Sequence, residues 1–521
     1  MSSSSGFQVG AGMVTIPTPS KQPLLYVTTV LMLVLVLHLM GKEKGYGLPV
    51  INPKKPFELS NRRSLLEWGF HCKDLLAKGR AMFPGKPYAM IVPEGEVMVW
   101  PTSAIDEVKS EHGLDFVGIS PEDSHGYIPG FEPFAQPTLP TVVINKFLNK
   151  AIAKLTLTIS HEATRALNET LPPCSDWVEI SPADYILTVI ARVSTMVFMG
   201  EEMAHNKAWI EASSRYAPLA FATSDHLGTY PFWLRRYIHW FLPGCQKVRA
   251  QLAECRRHLQ PIIDKRRALK AVAAAKGQPE PDLDDSIEWF RKVLKRDDFD
   301  VCALQISLSM AAIHTTSDLM QCTMIEIARH PKLFEELREE ILNTLRTHGL
   351  KKTALYEMKL MDSVIKETQR LKPLLLSTMR RVATKDVKLP SGFVIRKGQK
   401  LIVDNTHMWD AAYHENPDQF DPYRFLRLRQ EPGKENLAQL AAASVEHMGF
   451  GYGLHACPGR FFAANEIKIV LCHVLLKYDW KLAEGCDPKP FTFGYAVIGD
   501  PTTKFLIKQR QPELDLDTLE A

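Results

Sequence analysis

Residues 450–459 read Phe450-Gly451-Tyr452-Gly453-Leu454-His455-Ala456-Cys457-Pro458-Gly459, and they run straight into the helix-forming Arg460-Phe461-Phe462-Ala463-Ala464-Asn465-Glu466. Three glycines and one proline surround a single cysteine. Glycine permits backbone turns and close approaches that a side chain would block, and Pro458 suits the first turn of a helix beginning just after the cysteine. A thiolate at a helix N-terminus meets free N–H groups and the positive end of the dipole, which stabilises its charge and tempers its basicity. That environment suits a soft anionic ligand for iron. Taken alone, a cysteine between glycines also fits a structural buried thiol or a reactive nucleophile.

The spacing Phe450, Gly453, Cys457, Gly459 completes the pattern F-x-x-G-x-x-x-C-x-G, and with it the stretch resembles the heme-binding loop of a cytochrome P-450, a heme-thiolate monooxygenase. The resemblance implies heme b with Cys457 as its axial iron ligand, dioxygen as co-substrate, and NADPH-derived electrons from a separate reductase, with a b-type cytochrome as a further partner. Electrons must arrive from another protein because no flavin- or nicotinamide-binding fingerprint is present. The sulfur ligand pushes electron density toward O–O cleavage, the chemical reason for cysteinate rather than imidazole.

Further motifs stand upstream where the resemblance expects them. Glu367-Thr368-Gln369-Arg370 lies in a helical run from Met361 to Leu371, closed by Pro373, and puts Glu367 and Arg370 on one face at i, i+3. Asp421-Pro422-Tyr423-Arg424-Phe425 supplies the third member, Arg424. Together they resemble the family's buried ion cluster, a structural feature in which loss of one partner leaves an uncompensated charge.

A long helix is expected from Asp298 or Asp300, either of which can cap it, to about Arg329, with an uncharged stretch Val301 to Met310. Inside it comes Ala311-Ala312-Ile313-His314-Thr315-Thr316. Threonine hydroxyls in a buried helix can bond back to carbonyls and distort the ladder. In the family this place holds A/G-G-x-D/E-T-T. Thr315 aligns with the threonine that helps deliver protons to dioxygen, Ala312 with the usual glycine, and His314 with the usual acid. Histidine can shuttle protons near neutrality, and it can also be a core residue bonded to a neighbouring element.

Heme propionates need cationic or hydrogen-bonding partners when partly buried. His455 is one candidate, and Arg380 or Arg381 another, the sequence leaving open which of the two turns inward. Lys150 and Lys154 are weaker candidates in the region where the family offers a Trp and an Arg. The substrate walls carried over from the family are Ser103 to Val143, Tyr216 to Tyr230, Ser307 to Ala311, Leu374 to Met379 and Phe493 to Ile498. They are largely apolar, which implies a lipophilic substrate.

The rest of the chain is consistent with this reading. Its 521 residues carry 63 Lys+Arg against 59 Asp+Glu, a net charge of +4, with 45% hydrophobic and 23% charged residues. These are ordinary globular values, which exclude a disordered chain, a collagen-like fibre and a multi-pass membrane protein, and leave no basic excess for nucleic acid. Nine scattered cysteines without a C-x-x-C pair argue against a disulfide scaffold.

Residues 1–22 form a Ser-rich tail expected on the lumenal side. The following stretch, Pro23 to Gly41, lacks Asp, Glu, Lys and Arg, and as a helix it would span about 28 Å, near the roughly 30 Å of a bilayer core. It reads as an uncleaved signal anchor. Lys42, Lys44, Lys54 and Lys55 lie beyond it against Lys21 before it, a bias that puts the body in the cytoplasm, on the endoplasmic reticulum membrane. The sequon Asn168-Glu169-Thr170 then stays unglycosylated.

A proline-bearing linker (42–56), a monooxygenase domain (57–511) and a short C-terminal tail (512–521) follow. The expected fold class is mainly α with a small β component, the cytochrome P-450 fold, preceded by one transmembrane helix. A mobile loop is expected from Lys270 to Asp285. The expected activity is oxidation of a lipophilic small molecule, a terpenoid, indole-terpenoid or alkaloid of secondary metabolism. Heme-thiolate isomerisation, dehydration or peroxide-driven chemistry, and a non-catalytic heme- or lipid-binding membrane protein, are the alternatives.

Overall fold

A computed structural model describes residues 26–30, 32–33, 45–58, 60–116 and 124–519. The Ser-rich tail, most of the expected anchor at 23–41, the first residues of the linker and residues 520–521 lie outside these. Residues 26–30 and 32–33 are helical. Among the described residues one helix, Pro182–Met199, is long and apolar enough to cross a membrane, and it is two-thirds buried within the body.

The body is mainly helical, and its centre is the helix Val301–Arg329. Asp300 caps it, its carboxylate accepting from Ala303 N at 2.9 Å, so of the two aspartates proposed for this role the nearer one serves. The apolar first half is buried all round, as a helix without charge must be, and the Pro182–Met199, Lys207–Gly228, Lys359–Leu371 and Arg460–Lys477 helices pack against it. The expected opening of this helix near Thr315 does not occur: it runs as one continuous element. The helix Pro243–Ala275 takes up the first residues of the segment expected as a loop, because Ala271 to Ala275 are strong helix formers, and only 276–285 is irregular.

The β component stands to one side as a five-stranded sheet ordered Tyr88–Val92, Gly95–Trp100, Lys400–Asp404, Ser377–Ala383, Leu114–Phe116. The first two strands form a hairpin, the second pairs in parallel with Lys400–Asp404, and the remaining pairings are antiparallel. The register slips between Thr378 and Arg381, where Met379 adopts a φ of 49°. Such a bulge bends the strand and re-aims its side chains.

The helix Lys359–Leu371 is the brace of the structure. Glu367 and Arg370 are both 0% exposed, joined by Arg370 Nε to Glu367 Oε2 at 2.9 Å and Nη2 to Oε1 at 2.8 Å. Arg370 also donates to the carbonyls of Met408 and Pro417, and Arg424 Nε reaches Glu367 at 3.0 Å while its Nη1 donates to Glu415 O. The expected three-residue ion cluster is therefore formed, and it ties the helix to the loops on either side of residue 415.

One residue earlier, the buried ammonium of Lys366 donates to the carbonyls of Leu437, Gln439 and Ala442 at 2.8, 2.7 and 3.1 Å. His447 Nε2 lies 3.1 Å from Lys366 O, and Gln369 lies so close to Gly449 that a Cβ there would come within 2.3 Å of its Oε1. One helix thus fixes the whole approach to the Cys457 loop.

Removing a partner from a buried charge group typically costs about 3–5 kcal/mol. Arg370→Ala is accordingly expected to yield little folded protein, checked by denaturant unfolding of whatever soluble protein is recovered. A stably folded variant with a wild-type midpoint would contradict the bracing role.

Candidate active site

Cys457 sits in the turn the sequence implied. Its N–H donates to Phe450 O at 2.8 Å, closing the loop on itself, and Ala456 N donates to Gly453 O. Gly453 has φ +78°, and a Cβ there would lie 2.1 Å from Lys109 O, while Leu454 N donates to that same carbonyl at 2.8 Å. Only glycine fits. Pro458 O is held by Asn149 Nδ2 at 3.2 Å and Cys457 O by Arg460 Nη1 at 2.7 Å, and the helix Arg460–Lys477 starts from Gly459.

Burial pushes the Cys457 thiol up. The amides of Gly459 and Arg460 and the Arg460 charge oppose it. The sulfur is therefore met by the N–H groups of a helix start, as a thiolate ligand requires, and the residue keeps some accessible surface although it lies inside the body.

On the central helix, Ala311 is exposed and Ala312, His314 and Thr315 are partly so, between the fully buried stretches that precede and follow them. This accessible notch in a core helix is where small side chains leave space. The Thr315 hydroxyl donates to Ala311 O at 2.7 Å, the back-bond anticipated for it.

His314 takes the other of the two roles open to it. Its Nε2 is 2.8 Å from Ser214 O on the helix Lys207–Gly228, and burial holds its pKa below the usual value, so the ring is neutral near neutrality and ties two helices together.

The two adjacent arginines separate. Arg381 is buried on the side of His455: its Nη1 donates to Arg380 O, its Nη2 has no hydrogen-bond partner, and burial lowers its pKa to about 10. His455, whose ring stacks on Phe116 at 6.2 Å, is likewise shifted down, by burial first and by the Arg381 charge next. Arg380 instead pairs with Glu94 at 2.6 Å and lies over the Tyr495 ring. Lys150 and Lys154 are exposed on the helix Asn149–Thr170.

A buried guanidinium with an unpaired N–H beside a neutral histidine is a ready acceptor of a carboxylate, so the residues present fit a heme whose sulfur ligand is Cys457 and whose propionates face Arg381 and His455. The bulge at Met379 and the Glu94 partner that draws Arg380 away carry no local sequence signal.

Between them, Leu374–Leu376 and Tyr495–Val497 make a short ladder: Leu376 N donates to Tyr495 O and Val497 N to Leu374 O. Leu374, Leu375, Phe493 and Ile498 keep about two-fifths of their surface exposed, an apolar lining of the kind a lipophilic substrate needs.

The model of the family described as Cytochrome P450 matches residues 140–508. The cytochrome P450 monooxygenase eqxH of Fusarium heterosporum is 47% identical over 93% of this chain and 95% of its own length. The cytochrome P450 monooxygenases hepE of Aspergillus oryzae and calE of Penicillium decumbens are 38% and 36% identical, each over 92% of this chain and over 89% and 94% of their own lengths.

Because the two arginines have different partners, their variants should separate. Arg381→Gln is expected to lower the heme retained after gel filtration several-fold, whereas Arg380→Gln keeps it. Equal retention by both, read as the heme-to-protein absorbance ratio, would contradict the assignment.

Proposed function

The chain belongs to the cytochrome P450 family and is a monooxygenase, and on that premise we propose that it hydroxylates or further oxidises a lipophilic terpenoid, indole-terpenoid or alkaloid in secondary metabolism. The observation that carries the catalytic reading is the Cys457 loop, in which the amides of Gly459 and Arg460 converge on a sulfur that keeps accessible surface inside the body. When bound through Cys457, the heme supplies an iron centre that activates dioxygen with two electrons from a reductase.

The chain's own residues do the rest. The apolar lining of Leu374, Leu375, Phe493 and Ile498 draws the substrate from water. Ala311 and Ala312 leave the reaction its space. Thr315, whose hydroxyl rests on Ala311 O, is the group that holds and passes a proton. His314, neutral and bonded to Ser214 O, fixes the roof helix over this notch.

NADPH-derived electrons from a membrane-bound reductase, and a single-pass anchorage in the endoplasmic reticulum with the body in the cytoplasm, complete the proposal. The anchor-like stretch 23–41 supports membrane attachment. So do five exposed aromatics, Phe232, Trp233, Tyr237, Trp240 and Phe241, gathered on and just after the short helix Phe232–Ile238, since tryptophan and tyrosine favour membrane interfaces.

In microsomes, the reduced carbon-monoxide difference spectrum is expected to show the red-shifted band of a thiolate ligand, absent in Cys457→Ala. A retained thiolate signature in that variant would overturn the ligand assignment. Thr315→Ala is expected to bind heme yet form product on the order of 100-fold more slowly while still consuming NADPH. Product is followed by mass spectrometry over a terpenoid and alkaloid panel, and unchanged coupling would remove Thr315 from the mechanism. Asn168, exposed near the end of its helix, is expected to stay unglycosylated, so a glycosidase-sensitive mobility shift would invert the proposed orientation.

A further inference from the structure

The helix Lys207–Gly228 roofs the central helix, touching it where Ser214 O accepts from His314. Residues 214, 221 and 225 fall on one face of that helix, spaced seven and eleven apart. Phe221 on this face is 49% exposed, with its ring against Phe134. Asp225 carries a charge on the same face.

Asp225 retains much of its surface, yet burial is the first cause that pushes its carboxyl up to about 6. A group that is open to water-sized probes and still crowded by protein faces an internal space. No hydrogen bond or ion pair engages it among the described residues.

Its electrostatic neighbours are Glu94, which raises it further, and Arg380, which is already paired with Glu94 at 2.6 Å. Arg235, bonded to Tyr230 O and Gly228 O, and His125, bonded to Ser224 O and shifted down by burial, bracket the helix end. Next to Arg380, the Tyr495 side chain is 7% exposed with an unpartnered hydroxyl, and Glu94 Oε2 is buried without a partner. Counting Glu94, Arg380 and Asp225, the group is left one negative charge in excess, inside walls that are otherwise apolar.

We propose that Asp225 is a specificity-determining residue of the substrate chamber, whose carboxylate accepts a hydrogen bond from a donor on the substrate's polar end, a protonated amine above all. A charge-assisted bond of this kind is roughly twice as strong as a neutral one, and in an apolar chamber it fixes which end of an elongated molecule lies under the roof helix. The lipophilic remainder of the substrate then extends away from Asp225 along the leucine and phenylalanine lining. The inference rests on the heme-chamber reading above and deepens it by naming the polar group the chamber selects.

The test uses probes that anchor on the heme iron and reach into the chamber: 1-alkylimidazoles with tails of six to ten carbons, ending in methyl, hydroxyl, amine or carboxylate. Binding is read from the Soret shift of the heme-loaded, full-length protein in wild type and in Asp225→Asn, whose heme content and carbon-monoxide spectrum serve as folding controls. In wild type the amine-ended probe of best length is expected to bind at least tenfold more tightly than the carboxylate-ended one. That preference should fall away as pH drops through about 6, where the raised carboxyl takes its proton.

Asp225→Asn should lose the preference at all pH values with methyl-ended binding unchanged, and Asp225→Glu should recover part of it. A hydroxyl-ended probe that matches the amine would assign a neutral donor and keep the proposal. An amine preference equal in wild type and Asp225→Asn would overturn it while leaving the chamber intact. Failure of the methyl-ended probes to shift the spectrum at any length would instead overturn the chamber reading, and the proposal with it.

Discussion

A single carboxylate, Glu367, holds two guanidiniums in a place no water reaches, and the remaining structure depends on that arrangement. Arg370 and Arg424 spend their other N–H groups on the carbonyls of Met408, Pro417 and Glu415, so loops that lack regular structure are fixed as firmly as a helix. The same helix carries Lys366, which organises the segment 437–442, and Gln369, which bounds Gly449. Buried charge of this kind is not an efficient source of stability, because desolvation offsets much of the attraction. Its value here is geometric: it delivers the chain to Phe450 at one position, and from there Cys457 is set by the Phe450 O hydrogen bond and by the start of the next helix.

Much of this was legible in the sequence, and the reason is local chemistry. Cys457 lies among glycines whose conformations the loop demands, with Gly453 standing where the Lys109 carbonyl leaves no room for a Cβ. Glu367 and Arg370 share a helix face by spacing alone. Asp300 reads as a cap because the following stretch is apolar without interruption. What the sequence could not supply are relations made across the fold. Which arginine turns inward depends on a bulge at Met379 and on Glu94 in a hairpin nearly three hundred residues away. The role of His314 depends on a carbonyl one hundred residues upstream. Alternation and periodicity carry no information about such partners.

His314 shows how one substitution changes a site's logic. An acid at this position would bring a charge to the notch beside Thr315. The imidazole brings none near neutrality and spends a nitrogen on Ser214 O. Proton traffic past Thr315 then runs through its hydroxyl and whatever solvent the alanines admit, while the roof helix is held in place by a hydrogen bond rather than by packing alone. The apolar lining below and the charged group at the end of the roof divide the chamber into regions of different chemistry.

The bulge in the strand Ser377–Ala383 separates two neighbours in sequence into two neighbourhoods in space. Arg381 serves the side of the Cys457 loop, and Arg380 serves the side of the roof helix. Without the bulge both would belong to one regular ladder, where a change at either would shift the other. With it, the chain can vary at 380, 94 or 225 while the anchorage at 381 and 455 stays as it is. The strand therefore acts as an evolutionary firewall, allowing a lineage of such enzymes to trade one molecular target for another without relearning how to hold the iron.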